Sequence, residues 1–149
     1  MGANSPVLPR RALLAAPLLA ASQGALAAER LRFDDLYAEW SVTGLRFSDR
    51  AQALAGQAAT MSGFMAPPLK AEADFFVLTR EPLSMCPFCS SDAEWPPDIV
   101  VAYLRREAQP TAPNEAIEVT GTLELGSWTD PATGFVSQAR LRGAGFRRA

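Results

Sequence analysis

The segment IEVTGTLEL, residues 117 to 125, alternates apolar and polar side chains without a break. Ile117, Val119, Leu123 and Leu125 fall on one side, and Glu118, Thr120, Thr122 and Glu124 on the other. A period of two is the signature of an extended strand with one buried face and one wet face. Gly121 falls on the inner side, where a coiled strand often needs to come close to its neighbour. The loop GSWTDPATG turns the chain, and FVSQARLR returns with Phe135, Ala139 and Leu141 inward and Gln138, Arg140 and Arg142 outward. Arg147 and Arg148 read as a solvated terminus.

Three further windows read as strands. QAATMSGFM, from Gln57, carries Gly63 as a bulge or point of close approach and is stopped by Pro67-Pro68. EADFFVLTR, residues 72 to 80, is a short apolar run ending in charge, which suits a buried strand. DIVVAYL, residues 98 to 104, is rich in branched and aromatic side chains. Helical signal is scarce. LRFDDLYAEW, residues 31 to 40, fits a short amphipathic helix or an extended lead-in, and SVTGLRFSDRAQALAG fits a loop with a helical turn closed by Gly56. So few helices cannot cover both faces of a parallel sheet. The expectation is an all-β domain: a small five-stranded OB-like antiparallel barrel over residues 57 to 146, with one short N-terminal helix in a lead-in over 28 to 56. A small open sandwich is the second architecture.

The first 27 residues, MGANSPVLPRRALLAAPLLAASQGALA, contain no acid. Arg10 and Arg11 precede an apolar run, and Ala25-Leu26-Ala27 fits a small-x-small cleavage site. That is the pattern of a secretory signal peptide, and the paired arginines also match a twin-arginine signal. The expected location is periplasmic or secreted, by the Sec or the twin-arginine route. Cleavage after Ala27 removes two of the 14 basic residues and none of the 16 acidic ones, leaving a formal charge of −4. An acidic chain of this kind gives no footing for non-specific nucleic-acid binding. No later segment has the roughly 20 apolar residues needed to span a bilayer, so the expectation is no membrane insertion after processing.

The order Leu54-x-Gly56, SGFMAPP (62 to 68), FFVLTREP (75 to 82), a Cys- and Pro-containing loop, a valine-rich strand and VTGTLEL resembles a group of small exported bacterial proteins. They form a domain-of-unknown-function family with an OB-like barrel, often encoded beside ABC-transporter components linked to metal handling. The resemblance covers residues 40 to 145. It implies the fold, the exported location, and a membrane transporter or other periplasmic protein as partner. It departs at the cysteines: the family pattern has one cysteine followed by His and a proline run, whereas this chain has MCPFCSSDAEWPP. A related exported or membrane-tethered group has Cys-Cys and Asp-Ala there, nearer to Cys89-Ser-Ser-Asp92-Ala93.

Cys86 and Cys89 are the only cysteines, and the chain has no histidine. Three readings of the pair stand open. Two thiolates at this spacing can hold one ion. Structural zinc wants four ligands, so the remainder would be carboxylates such as Asp92 or Glu94, or groups from a partner. Copper(I) accepts two or three soft ligands, and Met85 adjoins the pair, although Met61 and Met65 more often fill a core than bind metal. CPFC is also a dithiol sequence of disulfide-exchange enzymes, but no βαβ context surrounds it and the acids downstream oppose a lowered thiol pKa. The third reading is a disulfide between Cys86 and Cys89 that staples a loop in an oxidising compartment.

Without histidine a Ser-His-acid hydrolase is excluded, and a Ser–Lys dyad would need Lys70, the only lysine. Trp40, Trp95 and Trp128 could line a ligand surface or pack over barrel ends. The functional expectation is therefore a soluble exported binding or accessory module rather than an enzyme. In its sharpest form Cys86 and Cys89, helped by Met85 or Asp92, handle a soft transition metal (copper or zinc) for a transporter. A thiol–disulfide exchange protein and a structural interaction module are the alternatives.

Overall fold

The structure, a computed structural model, describes residue 2 and residues 27–41, 44–67, 74–83 and 95–149. Apart from residues 2 and 27, the expected signal peptide (residues 1 to 27) lies outside those residues, as do the cysteine segment 84–94 and Lys70.

In chain order come β1 (Glu29–Arg30), a 3-10 turn (Phe33–Asp35), β2 (Tyr37–Ser41), β3 (Gly44–Phe47), α1 (Asp49–Leu54), β4 (Ala58–Met65), β5 (Phe75–Thr79), β6 (Ile99–Leu104), β7 (Ala116–Thr129) and β8 (Val136–Arg148). The described residues are mainly β, with one short α-helix among them. Six strands form one sheet in the order β1-β4-β5-β6-β8-β7, β4 also pairs with β7, and β2 and β3 form a separate ribbon. Two pairings, β1–β4 and β6–β8, are parallel, which the expectation of a wholly antiparallel sheet missed. The second follows from chain order: β7 is laid antiparallel to β8, which returns beside β6 rather than beside β5. Among the described residues no helix is long and apolar enough to cross a membrane.

The lead-in is strand and turn more than helix. Leu31, Phe33 and Leu36 follow β1 into the main core beside Ala51 and Leu54 of α1. Helix α1 starts at Ser48, whose Oγ accepts the Ala51 N–H at 3.0 Å, satisfying one of the free donors of the first turn. It stops before Gly56, whose φ of 79° only glycine adopts without strain.

Strand β4 alternates as its sequence does, with Ala59, Met61 and Met65 buried. Strands β5 and β6 do not alternate, because both of their faces are covered. Phe76, Leu78, Val100 and Ala102 enter the main core. Phe75, Val77, Ile99, Val101 and Tyr103 point the other way, under Trp95, Phe135 and Trp128. Two-sided burial selects continuous apolar runs such as FFVLT and IVVAYL.

β7 follows the sequence pattern closely, with Ile117, Val119 and Leu123 fully buried. Its opposite face carries Glu118, held between Arg30 at 2.9 Å and Arg147, so a carboxylate only 9% exposed is paired on both sides. The expected turn is shorter than GSWTDPATG: β7 continues to Thr129 through a register shift between Leu125 and Trp128. Asp130 makes the turn, its Oδ1 accepting the N–H groups of Ala132 at 2.7 Å and Thr133 at 3.2 Å. Phe135, expected inward, packs instead with the aromatic cluster outside the main core. Arg147 and Arg148 are not a loose tail; they end β8 and pair with Glu118 and Glu115.

Gly63 and Gly121 sit where backbones come close. A Cβ on Gly63 would stand 2.5 Å from the Thr79 carbonyl oxygen, and one on Gly121 2.8 Å from that of Arg142. Overpacking of this kind costs about 1–3 kcal/mol, so Gly63→Ala and Gly121→Ala should each lower stability by that order in urea melts. Gly145→Ala, with nothing within 4 Å of the added carbon, should stay within about 0.5 kcal/mol of the parent.

Candidate functional site: the connection between β5 and β6

Strands β5 and β6 are adjacent and antiparallel, with Thr79 opposite Ile99. Such a pair can be joined by two residues, but here residues 80 to 98 intervene, and both cysteines fall among them. Connections well beyond a dozen residues are uncommon in small domains and tend to carry function.

The roots of this connection are fixed. The Arg80 N–H donates to the Asp98 carbonyl at 3.1 Å, extending the ladder by one step. Thr79 Oγ1 donates within reach of the Phe64 carbonyl at 3.2 Å and the Glu81 carbonyl at 2.7 Å. The Arg80 guanidinium meets Asp34 at 2.6 Å and stands over the Phe33 ring at 5.9 Å, which ties the outgoing root to the 3-10 turn. The returning root is held by Trp95, whose Nε1–H donates to Tyr37 Oη at 3.0 Å. Tyr37 in turn stacks on Phe47, 5.1 Å between centroids. Burial pushes the Tyr37 phenol up to about 12, although the bond from Trp95 opposes that shift.

Met85, Cys86, Cys89 and Asp92 lie in segment 84–94, outside the described residues, together with Ser84, Ser90, Ser91 and Glu94. The structure therefore places the two ends from which they hang and not their side chains. Met61 and Met65 are in the main core, 0% and 5% exposed, and fill space there. The side chain of Trp40 is also outside the described residues. Among the described residues no group of three or more His, Cys, Asp or Glu side chains could hold a metal ion.

A second cluster lies on the outer face of β6, β7 and β8. Trp128 and Tyr103 meet edge to face, 5.3 Å between centroids at 88°. The Arg142 guanidinium sits in the corner between them, 3.9 Å from the Trp128 centroid and 4.4 Å from that of Tyr103. Glu124 Oε2 accepts from Arg142 Nε at 3.1 Å and from Arg140 Nε at 2.8 Å. Burial works against ionisation of Glu124, but the two arginines outweigh it and hold its carboxyl below its ordinary value. Arg140 was expected outward. It is on the outer face but only 6% exposed, because Trp128 covers it and its Nη1 donates to the Gly126 carbonyl, at 2.8 Å, in the register shift of β7. Burial, then the facing Asp130 carboxylate, raise the Tyr103 pKa, and Arg142 opposes them. The Tyr103 hydroxyl nevertheless lies outside hydrogen-bond geometry with any partner among the described residues.

This cluster was legible in outline: Glu124 of LEL stands across from Arg140 of RLR, two arginines of one face against one acid. Both guanidinium groups share the Glu124 carboxylate and lie against Trp128, so the cluster is tied together by its own contacts. Its effect is to close the outer face of the sheet. An open groove of about 520 Å³ lies between the β2–β3 ribbon, α1 and Leu125–Gly126 at the register shift of β7, lined by Leu45, Phe47 and Gln52.

A mainly β domain with a long cysteine-bearing connection is thus the class that fold and site define. No protein-family model matches the chain. No curated protein matches it either. Among solved structures, a DUF3299 family protein from Pseudomonas aeruginosa PAO1 aligns over 83% of this chain and 98% of its own, at 15% identity and a TM-score of 0.47. At that identity and score the likeness assigns neither a family nor an activity.

The Trp95–Tyr37 bond gives a direct test of the anchored root. Tyr37→Phe removes the acceptor of a part-buried indole N–H and should cost about 0.5–1.5 kcal/mol, with loss of exchange protection at the Trp95 indole in NMR spectra. In the parent, a phenol raised from 10 to about 12 stays protonated in the native chain while the unfolded chain releases its proton. Stability should therefore fall as pH rises from 10 towards 12, and Tyr37→Phe should remove that part of the slope.

Proposed function

We propose that the chain is an exported binding module built on an OB-like barrel, and that the connection between β5 and β6 is its binding element. The barrel reading is supported by the ring of pairings β4-β5-β6-β8-β7 and back to β4, with β6 and β8 parallel. OB barrels commonly bind along the face of their second and third strands, which correspond here to β5 and β6. In this chain that face is filled by Phe75, Val77, Val101 and Tyr103 under Trp95, Phe135 and Trp128. Recognition then falls to the connection.

The ligand class proposed is a soft transition-metal ion, copper(I) before zinc, held by the Cys86 and Cys89 thiolates with Met85 or Asp92 assisting. The observation that carries this reading is the long connection between two adjacent strands, rooted at Arg80–Asp98 and Trp95–Tyr37, that contains both cysteines. Fixed roots lower the entropy cost of closing a ligand loop, and two thiols three positions apart suit an ion that accepts few ligands. A membrane transporter or another periplasmic protein is the proposed recipient of the ion. Thiolate ligands must lose their protons, so uptake should release protons and weaken as pH falls.

Native mass spectrometry of the processed protein, purified without chelator, reduced anaerobically and given one equivalent of copper(I), tests this. One bound copper per chain is expected, and none in the Cys86→Ser, Cys89→Ser double variant. A reduced chain that takes up no copper, or a double variant that takes up as much, sinks the proposal. A purified mass two hydrogens below the dithiol value that resists mild reduction would instead support the stapling disulfide, and a readily exchanged one would support thiol–disulfide exchange.

A further inference from the structure

Strand β8 outruns its neighbour. β6 ends at Leu104, opposite Ala144, and the Arg105 N–H still reaches the Ala144 carbonyl at 2.9 Å. Beyond that the chain leaves for residues 105–115, while β8 continues to Arg148. On its other edge, Gly145 to Arg148 remain paired with Thr120 to Ile117 of β7.

The register shows which backbone groups are left over. The Ala149 N–H donates to the Ala116 carbonyl at 3.0 Å, so by antiparallel alternation residues 149, 147 and 145 turn their polar groups toward β7. The Ala144 carbonyl turns toward β6, and Phe146 and Arg148 face the same way. Neither has a backbone partner on that side among the described residues. A groove of about 370 Å³ runs beside this edge, with Leu104, Ala144 and Phe146 in it and Arg105, Arg106 and Glu107 at its rim. An open edge with an adjoining groove is the geometry of strand addition.

Charge selects the occupant. Arg147 and Arg148 are paired with Glu118 and Glu115. The Arg105 side chain donates to the Gly143 carbonyl, at 3.3 and 3.2 Å, and has no carboxylate partner among the described residues. Arg106 has no ion pair among them. A second copy of β8 laid on this edge would set Arg147 and Arg148 near their own mates, and like charges across strands destabilise the pairing. An extended segment with acidic side chains meets two available arginines against the single Glu107 carboxylate at that rim, a net positive edge.

We infer that the edge Gly145–Arg148 and its groove dock an extended acidic segment of a partner protein by strand addition. The surface lies at the far end of β6 from the cysteine-bearing connection, so both can be occupied at once. It stands whether or not the dithiol binds metal.

The probe is an acetylated, amidated Glu-Val-Glu-Val-Glu-Val peptide, with Lys-Val-Lys-Val-Lys-Val as its counterpart, titrated into the processed chain and followed by amide NMR and hydrogen exchange. The acidic peptide should bind saturably and slow exchange at the Phe146 and Arg148 amides. Arg148→Pro should abolish binding, because it removes an outward N–H without removing a bond to β7. The surface variant Arg105→Glu with Arg106→Glu, which leaves the ladder untouched, should weaken binding by at least about tenfold, or 1.4 kcal/mol. Absence of saturable shifts at residues 146–148, or equal binding of the lysine peptide, overturns the inference. So does a concentration-dependent dimer that protects the same amides without peptide, since the occupant would then be a second copy.

Discussion

The seam between β4 and β7 is the contact on which the rest of the structure depends. Ala58 to Phe64 pair residue by residue with Thr122 to Ala116. On its other edge β4 carries β1 at Ala59 and Thr60, then β5 at Phe64 and Met65. One strand thus joins the start of the sheet to its end, and its buried side chains, with Ile117, Val119 and Leu123 of β7, form the centre of the core. The two seam strands tolerate little bulk where β5 and β8 lie against them. Gly63 lies against the Thr79 carbonyl and Gly121 against that of Arg142, so glycine at both positions lets strands cross at backbone distance. On the outer side of the same seam, Thr60 and Thr120 hydroxyls meet at 2.7 Å, and Glu118 draws Arg30 of β1 and Arg147 of β8 onto β7. Four strands are therefore cross-linked by polar contacts over one line of the sheet.

Covering both faces of β5 and β6 has a functional consequence. A sheet with one face free could offer that face to a ligand, but here Trp128, Phe135 and Trp95 spend their area on it. Arg142 in the corner between Trp128 and Tyr103 completes the cover, and Glu124 neutralises it. Among the described residues, open space remains at the groove beside the β2–β3 ribbon and along the overhang of β8. Function located at strand ends suits a domain whose rigid part is small, since loops and edges can vary without disturbing the seam.

How much of this the sequence discloses depends on whether a segment answers to one constraint or to two. IEVTGTLEL obeys one, burial of a single face, and its inner residues are inner in the structure, Gly121 included. FFVLT and IVVAYL answer to two, and their strand state is legible while the covering of their second face is not, because Phe135 and Trp128 reach it from distant positions in the chain. Arg140 misleads for the same reason: alternation puts it outside the core correctly, but only tertiary structure lays Trp128 over it. The lead-in defeats periodicity outright. Leu31, Phe33 and Leu36 have helix-like spacing, yet a two-residue parallel pairing and a 3-10 turn bury them. The parallel pairing of β6 with β8 has no local signal, since it follows from the order in which strands return to the sheet. For the candidate site the sequence names the chemistry, two thiols and their neighbours, whereas the structure supplies the roots that hold it.

Those roots explain why the Tyr37–Trp95 bond matters beyond its own energy. Tyr37 opens the β2–β3 ribbon and stacks on Phe47 at its close, so the ribbon is fastened at its base and Trp95 is fastened to the ribbon. On the opposite root, Arg80 reaches Asp34 in the turn just before β2. Both ends of the cysteine-bearing connection are thus tied to the same stretch of the lead-in, residues 34 to 37. The lead-in is in turn clamped by Arg50 of α1, which donates to the Arg30 carbonyl at 2.9 Å and lies near Glu29 and Asp35. The connection is thus held both by the sheet, through Arg80–Asp98 and Thr79–Phe64, and by the lead-in. Roots fixed at four points define the two ends between which the binding role proposed for the connection would have to be exercised, since a site on a small domain needs rigid supports.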